Sequence, residues 1–387
     1  MNIVFLFSKP FIETEGGVES VTVRLANSLR NIGVCCYFLT HKGEKSNCDN
    51  KFIFEFPSSD KFSSVNRTFL IDFIVNKEIT IVINQSAMYP DFCNFLFDAD
   101  LEVPIISCVH GDPLGAIRLY LPPLKFKLFN WTCDFKCFRN FVYRILLFAY
   151  KIKYRSHYVR LVGKSYKTVL LSNYYIEDIK KFSNLISDDK LCVIQNSYDK
   201  KDGYLDVKNK ENELLYVGRM VSNPKRVEFL IRMWKLLSYE LPDWKFKLVG
   251  SGPDLERFKR IVEKENIPNI EFFLSQDPVP FYQKASIFCF ASCHEGFGLV
   301  IVEAMSHGVV PVAVNSYKLL SDIITDNIDG ILVDGYDLNK YKAAIKNLAI
   351  DVARRKKMQE LAIIKSQKFT QKVILKKWCN LLFNIKE

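Results

Sequence analysis

Short apolar segments that alternate with helical segments constrain this 387-residue chain more than any other feature. The apolar run at residues 3–7 is followed by a helical pattern at residues 18–31 and by a second apolar run at residues 34–39. Apolar residues inside the helical pattern recur at the spacing of one buried helix face. This β–α–β order predicts parallel strands joined by right-handed crossovers. Its repetition along the chain predicts an α/β fold built on doubly wound parallel sheets.

The length of the chain and a polar linker predict two domains. One hydrophobic core seldom supports as many as 387 residues. Residues 197–212, SYDKKDGYLDVKNKEN, are polar and charged, and the alternation of strands and helices starts again after them. We therefore predict an N-terminal domain at residues 1–200, a C-terminal domain at residues 201–367 and a separate C-terminal helix at residues 368–387.

A basic, aromatic insertion at residues 115–165 interrupts the alternation in the first domain. Residues 118–167 contain twelve Lys and Arg side chains and a single acid, Asp134, so most of the formal net charge of +11 lies there. Clustered cations beside aromatic side chains supply both the electrostatic and the apolar contribution to binding an anionic membrane surface. A solvated helix pair that covers the core is the alternative. Because no nucleic-acid-reading motif is present, we expect no nucleic acid partner.

Apolar runs and cysteines indicate the compartment. No run approaches the ~20 residues that a membrane-spanning helix needs. The eleven cysteines are scattered over a large chain, which favours reduced thiols in a cytoplasmic protein. Only Cys133 and Cys137 have the spacing of metal ligands, and no second pair of ligands lies nearby in the sequence. We predict a cytoplasmic location, peripheral on the inner face of the membrane if the basic insertion binds lipid.

A glycine-rich turn at residues 292–308, SCHEGFGLVIVEAMSHG, is the strongest candidate for a ligand site. Gly296 and Gly298 allow close approach of the backbone, and free amides at the start of the following helix favour an anion such as phosphate. Glu295 and Glu303 would repel a bare phosphate unless they bind hydroxyls of attached sugars. The helix rises about 7.5 Å from Gly298 to Glu303, which is comparable with a diphosphate. One carboxylate could therefore reach each end of a sugar nucleotide.

A second segment, VGRMVSNPKR at residues 217–226, is a candidate cationic clamp for that phosphate. Arg219 directly follows a predicted strand, and Lys225 comes six residues later, before the next helix. Arginine binds phosphate as a fork and lysine as a point charge. A basic loop is usually solvated, so its spacing alone is weak evidence for a clamp. The prediction is stronger because the loop lies in the same domain as the glycine-rich turn.

These segments together resemble the retaining glycosyltransferases of the GT-B fold, family 4 (glycosyltransferase group 1). EGFGLVIVEAMSHG matches the E-x7-E motif of that family, with Glu295 and Glu303 as its two acids. The pair Gly16-Gly17 resembles the family's N-terminal glycine loop, and His110 with the following glycine resembles its HG pair. The resemblance implies two facing Rossmann-like domains with an interdomain cleft, and a terminal helix that crosses back to the first domain.

The resemblance also implies roles for residues of the C-terminal, nucleotide-sugar-binding domain. Arg219 and Lys225 would stabilise the leaving diphosphate. Glu303 would hold the ribose of the nucleotide, and Glu295 would hold the donor sugar. Three backbone amides would orient the donor: those of Phe297, Gly298 and Leu299.

In the N-terminal domain the resemblance implies acceptor binding. Gly16 and Gly17 would let their loop approach the donor phosphates, and His110 would lie near the sugar and the acceptor. The Arg219–Lys225 clamp and the amides at the start of the helix would stabilise the leaving group without a metal. No Asp-x-Asp metal signature stands out in the sequence, and we expect no cofactor.

The predicted function is therefore that of a retaining hexosyltransferase. Its donor would be a UDP-sugar or a GDP-sugar, and its acceptor a glycan or a lipid-linked glycan of a capsule, exopolysaccharide or lipopolysaccharide. Family precedent favours retention by a front-face route, with Glu295 in a binding role. Two alternatives stay open, a GT-B sugar-nucleotide epimerase and a non-catalytic GT-B binding module.

Overall fold

The computed structural model describes residues 1–12, 17–43, 51–115, 117, 136–198 and 210–385, the side chains of residues 136–141 excepted. The chain forms two compact units. The first comprises Met1–Gln195 together with Leu375–Glu387, and the second comprises Asn196–Ile374. Most of the polar segment at residues 197–212 lies outside the described residues.

A parallel sheet of seven strands in the order β3-β2-β1-β4-β5-β6-β7 organises the first unit. Helices cover this sheet, and a central strand therefore needs apolar side chains on both faces. Strand β1 shows this directly, because Ile3, Val4, Phe5 and Leu6 are all fully buried. The strands are β1 (Asn2–Leu6), β2 (Cys35–Thr40), β3 (Ile53–Glu55), β4 (Ile81–Asn84), β5 (Ile105–Val109), β6 (Lys167–Leu170) and β7 (Leu191–Val193).

The helices of the first unit follow the strands in alternation. Helix α1 packs next to β2, and α3 contacts α4. The described helices are α1 (Gly17–Arg30), α2 (Ser64–Asn76), α3 (Pro90–Phe97), α4 (Lys136–Lys164) and α5 (Asn173–Lys180). Helix α4 contains the described part of the basic insertion. No helix in the described ranges has the length and apolar character needed to cross a membrane.

The second unit repeats the architecture with six parallel strands in the order β10-β9-β8-β11-β12-β13. The strands are β8 (Glu213–Val217), β9 (Lys245–Val249), β10 (Ile270–Phe273), β11 (Ile287–Phe290), β12 (Val310–Val314) and β13 (Ile331–Val333). The helices are α6 (Val227–Leu237), α7 (Leu255–Lys264), α8 (Val279–Lys284), α9 (Leu299–Ser306), α10 (Leu320–Ile323), α11 (Leu338–Ile350) and α12 (Val352–Ser366). The prediction of an α/β fold with two Rossmann-like parallel sheets is confirmed.

A last helix, α13 (Gln371–Phe383), follows a 3-10 turn and spans the end of the second unit and the C-terminal segment of the first. From Leu375 onward it belongs to the first unit. Lys377 Nζ donates a hydrogen bond of 2.6 Å to Gln195 Oε1, and Trp378 and Leu382 are buried. The hydrogen bond joins the C-terminal part of α13 to Gln195, the last residue of the long segment of the first unit.

Candidate functional site

The glycine-rich turn connects β11 to α9 at the carboxyl end of the second sheet. Gly298, the residue before the helix, has φ 96° and ψ 44°, a left-handed conformation that glycine adopts without steric cost. A Cβ atom there would lie 2.8 Å from the hydroxyl oxygen of Tyr317. That hydroxyl donates to the carbonyl of Phe297 at 3.3 Å. The turn therefore needs glycine at this position, and the first amides of α9 begin directly after it.

The structure brings together two predicted site residues that are 70 positions apart in the chain. Lys225 Nζ lies 2.5 Å from Glu295 Oε1, and the two side chains are only 22% and 16% exposed. A partly buried ion pair is screened less by solvent than a surface pair. The lysine predicted to bind phosphate and the glutamate predicted to bind the donor sugar thus lie side by side at the start of α9, already held in place by their ion pair.

Hydrogen bonds hold the clamp loop from both sides. On one side, the amide of Cys293 donates to the carbonyl of Pro224 at 2.9 Å. On the other side, the amide and hydroxyl of Ser222 donate to Asp254 Oδ2 at 2.6 and 2.8 Å. These bonds from Ser222 lower the pKa of the Asp254 carboxyl. The loop that carries Lys225 is therefore tied to the loops that follow β9 and β11.

Two glycines of the β9–α7 loop let it lie directly against the clamp loop. Gly250 has φ +144°, and a Cβ atom there would lie 2.0 Å from the carbonyl oxygen of Gly218. A Cβ atom at Gly252 would lie 2.4 Å from the carbonyl oxygen of Met220. This role was not predicted from the sequence. A paired glycine motif after two adjacent predicted strands is the signal that could have indicated it.

Arg219, the other predicted cation, follows β8 directly. Its side chain is exposed, and within the described residues it forms no salt bridge. Its backbone is held, because the buried Tyr216 hydroxyl donates to the Arg219 carbonyl at 2.9 Å. The structure therefore leaves the guanidinium accessible to an incoming anion.

Glu303 lies half-buried in α9, five residues after Gly298. The hydroxyl of Tyr282, a residue of α8, donates to Glu303 Oε2 at 3.3 Å. Tyr282 is 1% exposed. No motif in the sequence singles out Tyr282, and only the packing of α8 against α9 shows that it contacts a predicted site residue.

Two of the predicted residues of the first unit, Gly17 and His110, lie in the described part of the chain. Gly17 begins α1, whereas Gly16 lies outside the described residues. His110 follows β5, and its Nε2 is hydrogen-bonded to Oε1 of Gln85, which follows β4. Burial lowers the pKa of His110 to about 4, so the imidazole is neutral at pH 7. Its Nδ1 is buried without a hydrogen-bond partner in the described structure.

Within the described ranges, no cluster of three or more His, Cys, Asp or Glu residues is placed to hold a metal ion. Cys133 and the side chain of Cys137 lie outside the described part of the chain. Independence from metal stays a prediction.

Comparison with known proteins gives a family match within the second unit. Residues 198–364 match the family model for glycosyl transferases group 1. An uncharacterized glycosyltransferase of Haemophilus influenzae is 22% identical over 377 residues, 96% of this chain and 97% of that protein. A Campylobacter jejuni α-1,4-N-acetyl-D-galactosaminyltransferase, named for an undecaprenol-linked GalNAc acceptor, is 27% identical over 46% of this chain and 49% of its own length.

The solved structures extend the similarity to the whole chain. The crystal structure of Anabaena Alr3699/HepE in complex with UDP-glucose has a TM-score of 0.72 and 15% identity, and the match covers 100% of both chains. This likeness agrees with the two Rossmann-like sheets of the GT-B architecture. The domain match and the glycosyltransferase relatives confirm the predicted enzyme class, a glycosyltransferase.

Proposed function

We propose that this glycosyltransferase is a retaining hexosyltransferase, which moves sugar from a UDP- or GDP-sugar to a glycan or a lipid-linked glycan acceptor. One observation carries the proposal, the ion pair between Lys225 and Glu295 at the start of α9. The donor sugar is covalently joined to its diphosphate, so their site needs a group that accepts hydrogen bonds from sugar hydroxyls next to a cation that binds phosphate. The Glu295 carboxylate and the Lys225 ammonium are these two groups, and they are hydrogen-bonded to each other.

The chemistry follows from where charge develops. As the glycosidic bond to the donor phosphate breaks, negative charge builds on the diphosphate. The Lys225 ammonium has three N–H donors, so it can bind a phosphate oxygen and keep its bond to Glu295. The exposed guanidinium of Arg219 and the first amides of α9 would add further preorganised donors. No step in this scheme requires a metal ion.

The same ion pair supports retention without a covalent sugar–enzyme intermediate. A double displacement would need a carboxylate nucleophile near the anomeric carbon. Glu295 is the candidate, and its Oε1 is already engaged by Lys225. A carboxylate held by a cation is a weaker nucleophile and a good acceptor for sugar hydroxyls. We therefore assign Glu295 to sugar binding and propose a front-face transfer.

Donor and acceptor classes rest on the relatives. HepE was crystallised with UDP-glucose, and the name of the C. jejuni relative specifies a lipid-linked acceptor. By analogy we propose a cytoplasmic enzyme that builds a surface polysaccharide. In this scheme the second unit binds the nucleotide sugar, and the first unit, with His110, binds the acceptor.

The decisive test is a thermal-shift screen against UDP, GDP and their hexose conjugates, followed by a turnover assay with the best donor. A ligand that binds only the folded state raises stability by about 2.7 kcal/mol at 100 times its Kd. We expect one nucleotide series to raise Tm in the wild-type chain and to do so much less in Glu303→Ala. An isomerised sugar nucleotide formed without acceptor would instead establish the epimerase. Binding without any turnover on a panel of glycan acceptors would favour the non-catalytic module.

The basic insertion carries the proposed membrane contact. In α4 the side chains of Ile145, Phe148 and Ile152 are 51%, 67% and 61% exposed, and their spacing places them on one helix face. The described helix contains no acidic residue, while Arg144, Lys153 and other cations accompany the apolar stripe. An apolar face of this kind with basic flanks matches the interface of an anionic bilayer, where the helix would lie flat.

Replacing Phe148 and Ile152 together by serine is expected to reduce binding to phosphatidylglycerol vesicles by about tenfold or more, because their apolar area no longer enters the interface. Co-sedimentation against phosphatidylcholine vesicles, which the wild type should bind weakly, measures the electrostatic part. Leu185→Ser is the matched control, since Leu185 is 74% exposed elsewhere on the first unit. Equal binding of wild type and double variant would remove the membrane contact from the proposal.

A further inference from the structure

We infer that Tyr282 is a positioning residue that holds Glu303 in the orientation needed to bind the two ribose hydroxyls of the donor nucleotide. The inference rests on the proposed function, because it needs Glu303 to be the ribose ligand. It adds a residue of α8 that lies outside the E-x7-E motif and 21 positions before Glu303 in the chain.

The hydroxyl of Tyr282 has few acceptors within reach. The residue is 1% exposed, so solvent does not replace a missing partner. The hydroxyl donates to Glu303 Oε2 at 3.3 Å and to the carbonyl of Val300 at 3.5 Å, both on α9. Burial, with the Glu303 charge adding to it, raises the pKa of Tyr282 well above its usual range. The phenol thus stays protonated and donates to the carboxylate.

The ring that carries this hydroxyl is held on several sides. His307 stacks on it with ring centroids 5.5 Å apart and an angle of 25° between the planes. The His307 Nδ1 is itself 2.9 Å from the carbonyl oxygen of Glu303. The backbone carbonyl of Tyr282 accepts a hydrogen bond of 2.5 Å from Lys210 Nζ. Tyr282 therefore cannot move away from α9 without breaking its stacking on His307 and its hydrogen bond from Lys210.

Ribose recognition depends on the orientation of the carboxylate. A glutamate side chain has three rotatable bonds, and an unrestrained one loses rotamer freedom when it binds a ligand. The hydrogen bond that Tyr282 donates restricts the Glu303 carboxylate before the nucleotide binds. Glu303 is predicted to contact the ribose and not the reacting bond, so loss of this restraint should weaken donor binding and leave kcat at saturating donor unchanged.

A purely structural role for Tyr282 makes a different prediction. A buried tyrosine that only fills the core would change stability and would affect all nucleotides alike. A positioning role changes the affinity only of nucleotides that carry the ribose hydroxyls. Comparing ribose with dideoxyribose ligands therefore separates the two roles.

The experiment measures Kd by calorimetry for UDP and GDP, each with its 2′,3′-dideoxy counterpart, in wild type and Tyr282→Phe. For the base that binds, the variant should lose about three- to tenfold affinity for the ribose form, a change typical of one hydrogen bond. It should lose less than about twofold for the dideoxy form, which lacks the hydroxyls that Glu303 would bind. Equal losses for both forms, or no loss for either, would overturn the inference.

Further variants keep the result interpretable. Tyr341→Phe removes another buried tyrosine hydroxyl of the same unit, one that donates to the Val312 carbonyl, and should leave the ribose-to-dideoxyribose ratio unchanged. If Tyr282→Phe does not fold, His307→Leu loosens the same ring and should show a smaller loss confined to the ribose form; equal losses there would also overturn the inference. A wild-type protein that binds ribose and dideoxyribose forms equally would refute the ribose role of Glu303, and with it the proposed donor site.

Discussion

Replacing Lys225 with alanine is expected to lower kcat for sugar transfer by about 10²–10³-fold, which is the usual effect of losing one preorganised donor to a developing negative charge. Lys225 lies 2.5 Å from Glu295, so its loss also leaves a half-buried carboxylate without its cation. That carboxylate would then repel the donor diphosphate, and donor affinity should fall together with kcat. Steady-state kinetics with the donor found in the thermal-shift screen measure both effects.

A matched lysine on the same unit provides the control for Lys225. Lys235 forms an ion pair of 2.9 Å with Glu265, and the two side chains are 46% and 40% exposed. Because exposed pairs of this kind contribute little, Lys235→Ala should keep kcat and KM within about twofold of wild type. If Lys225→Ala bound and turned over donor as the wild type does, the clamp would have no role, and the non-catalytic module would become the better explanation.

Substituting alanine for Gly250 is expected to destabilise the second unit by about 3 kcal/mol or more, because two penalties add. A φ of +144° is one that residues with a side chain rarely adopt, and the new Cβ would lie 2.0 Å from the Gly218 carbonyl oxygen. Since that oxygen belongs to the backbone of the clamp loop, relief of the clash would also displace Arg219. Urea denaturation followed by tryptophan fluorescence measures the loss, since Trp234 and Trp244 are buried in this unit.

Gly335→Ala separates the two penalties at Gly250. Gly335 also has a positive φ, +72°, but a Cβ atom there would meet nothing within 4 Å. Its substitution should therefore lower the free energy of unfolding by about 1 kcal/mol, the cost of the positive φ alone, with little effect on activity. Equal losses of stability in the two variants would show that the β9–α7 loop yields to the clash and that close packing of the two loops is not required.

The parts of the fold that were predictable from sequence are those set by local pattern. A strand covered by helices on both faces must be apolar throughout, so a run such as residues 3–7 predicts a central strand. The structure places β1 at Asn2–Leu6, in the middle of its sheet. Turn glycines and the E-x7-E spacing are also local features, which is why the start of α9 could be predicted as a binding site.

The contacts between distant segments were not predictable in the same way. Nothing in the spacing of residues 219–226 shows that Lys225 would meet Glu295, because the pairing depends on β8 and β11 being neighbours in the sheet. The packing of Gly250 against Gly218 likewise depends on β8 lying next to β9. Each contact joins loops at the carboxyl ends of adjacent parallel strands, and strand order is a property of the assembled sheet.

The sequence alone determined the fold class and the chemical types at the candidate site, because hydrophobic periodicity and residue identity are local quantities. Only the tertiary structure decided which of those groups meet. It joined the clamp lysine to the first glutamate, and it placed a buried tyrosine of α8 on the second. Such pairs form because the sheet brings distant segments to one edge, and the energy of a contact between them depends on distances that no single segment contains.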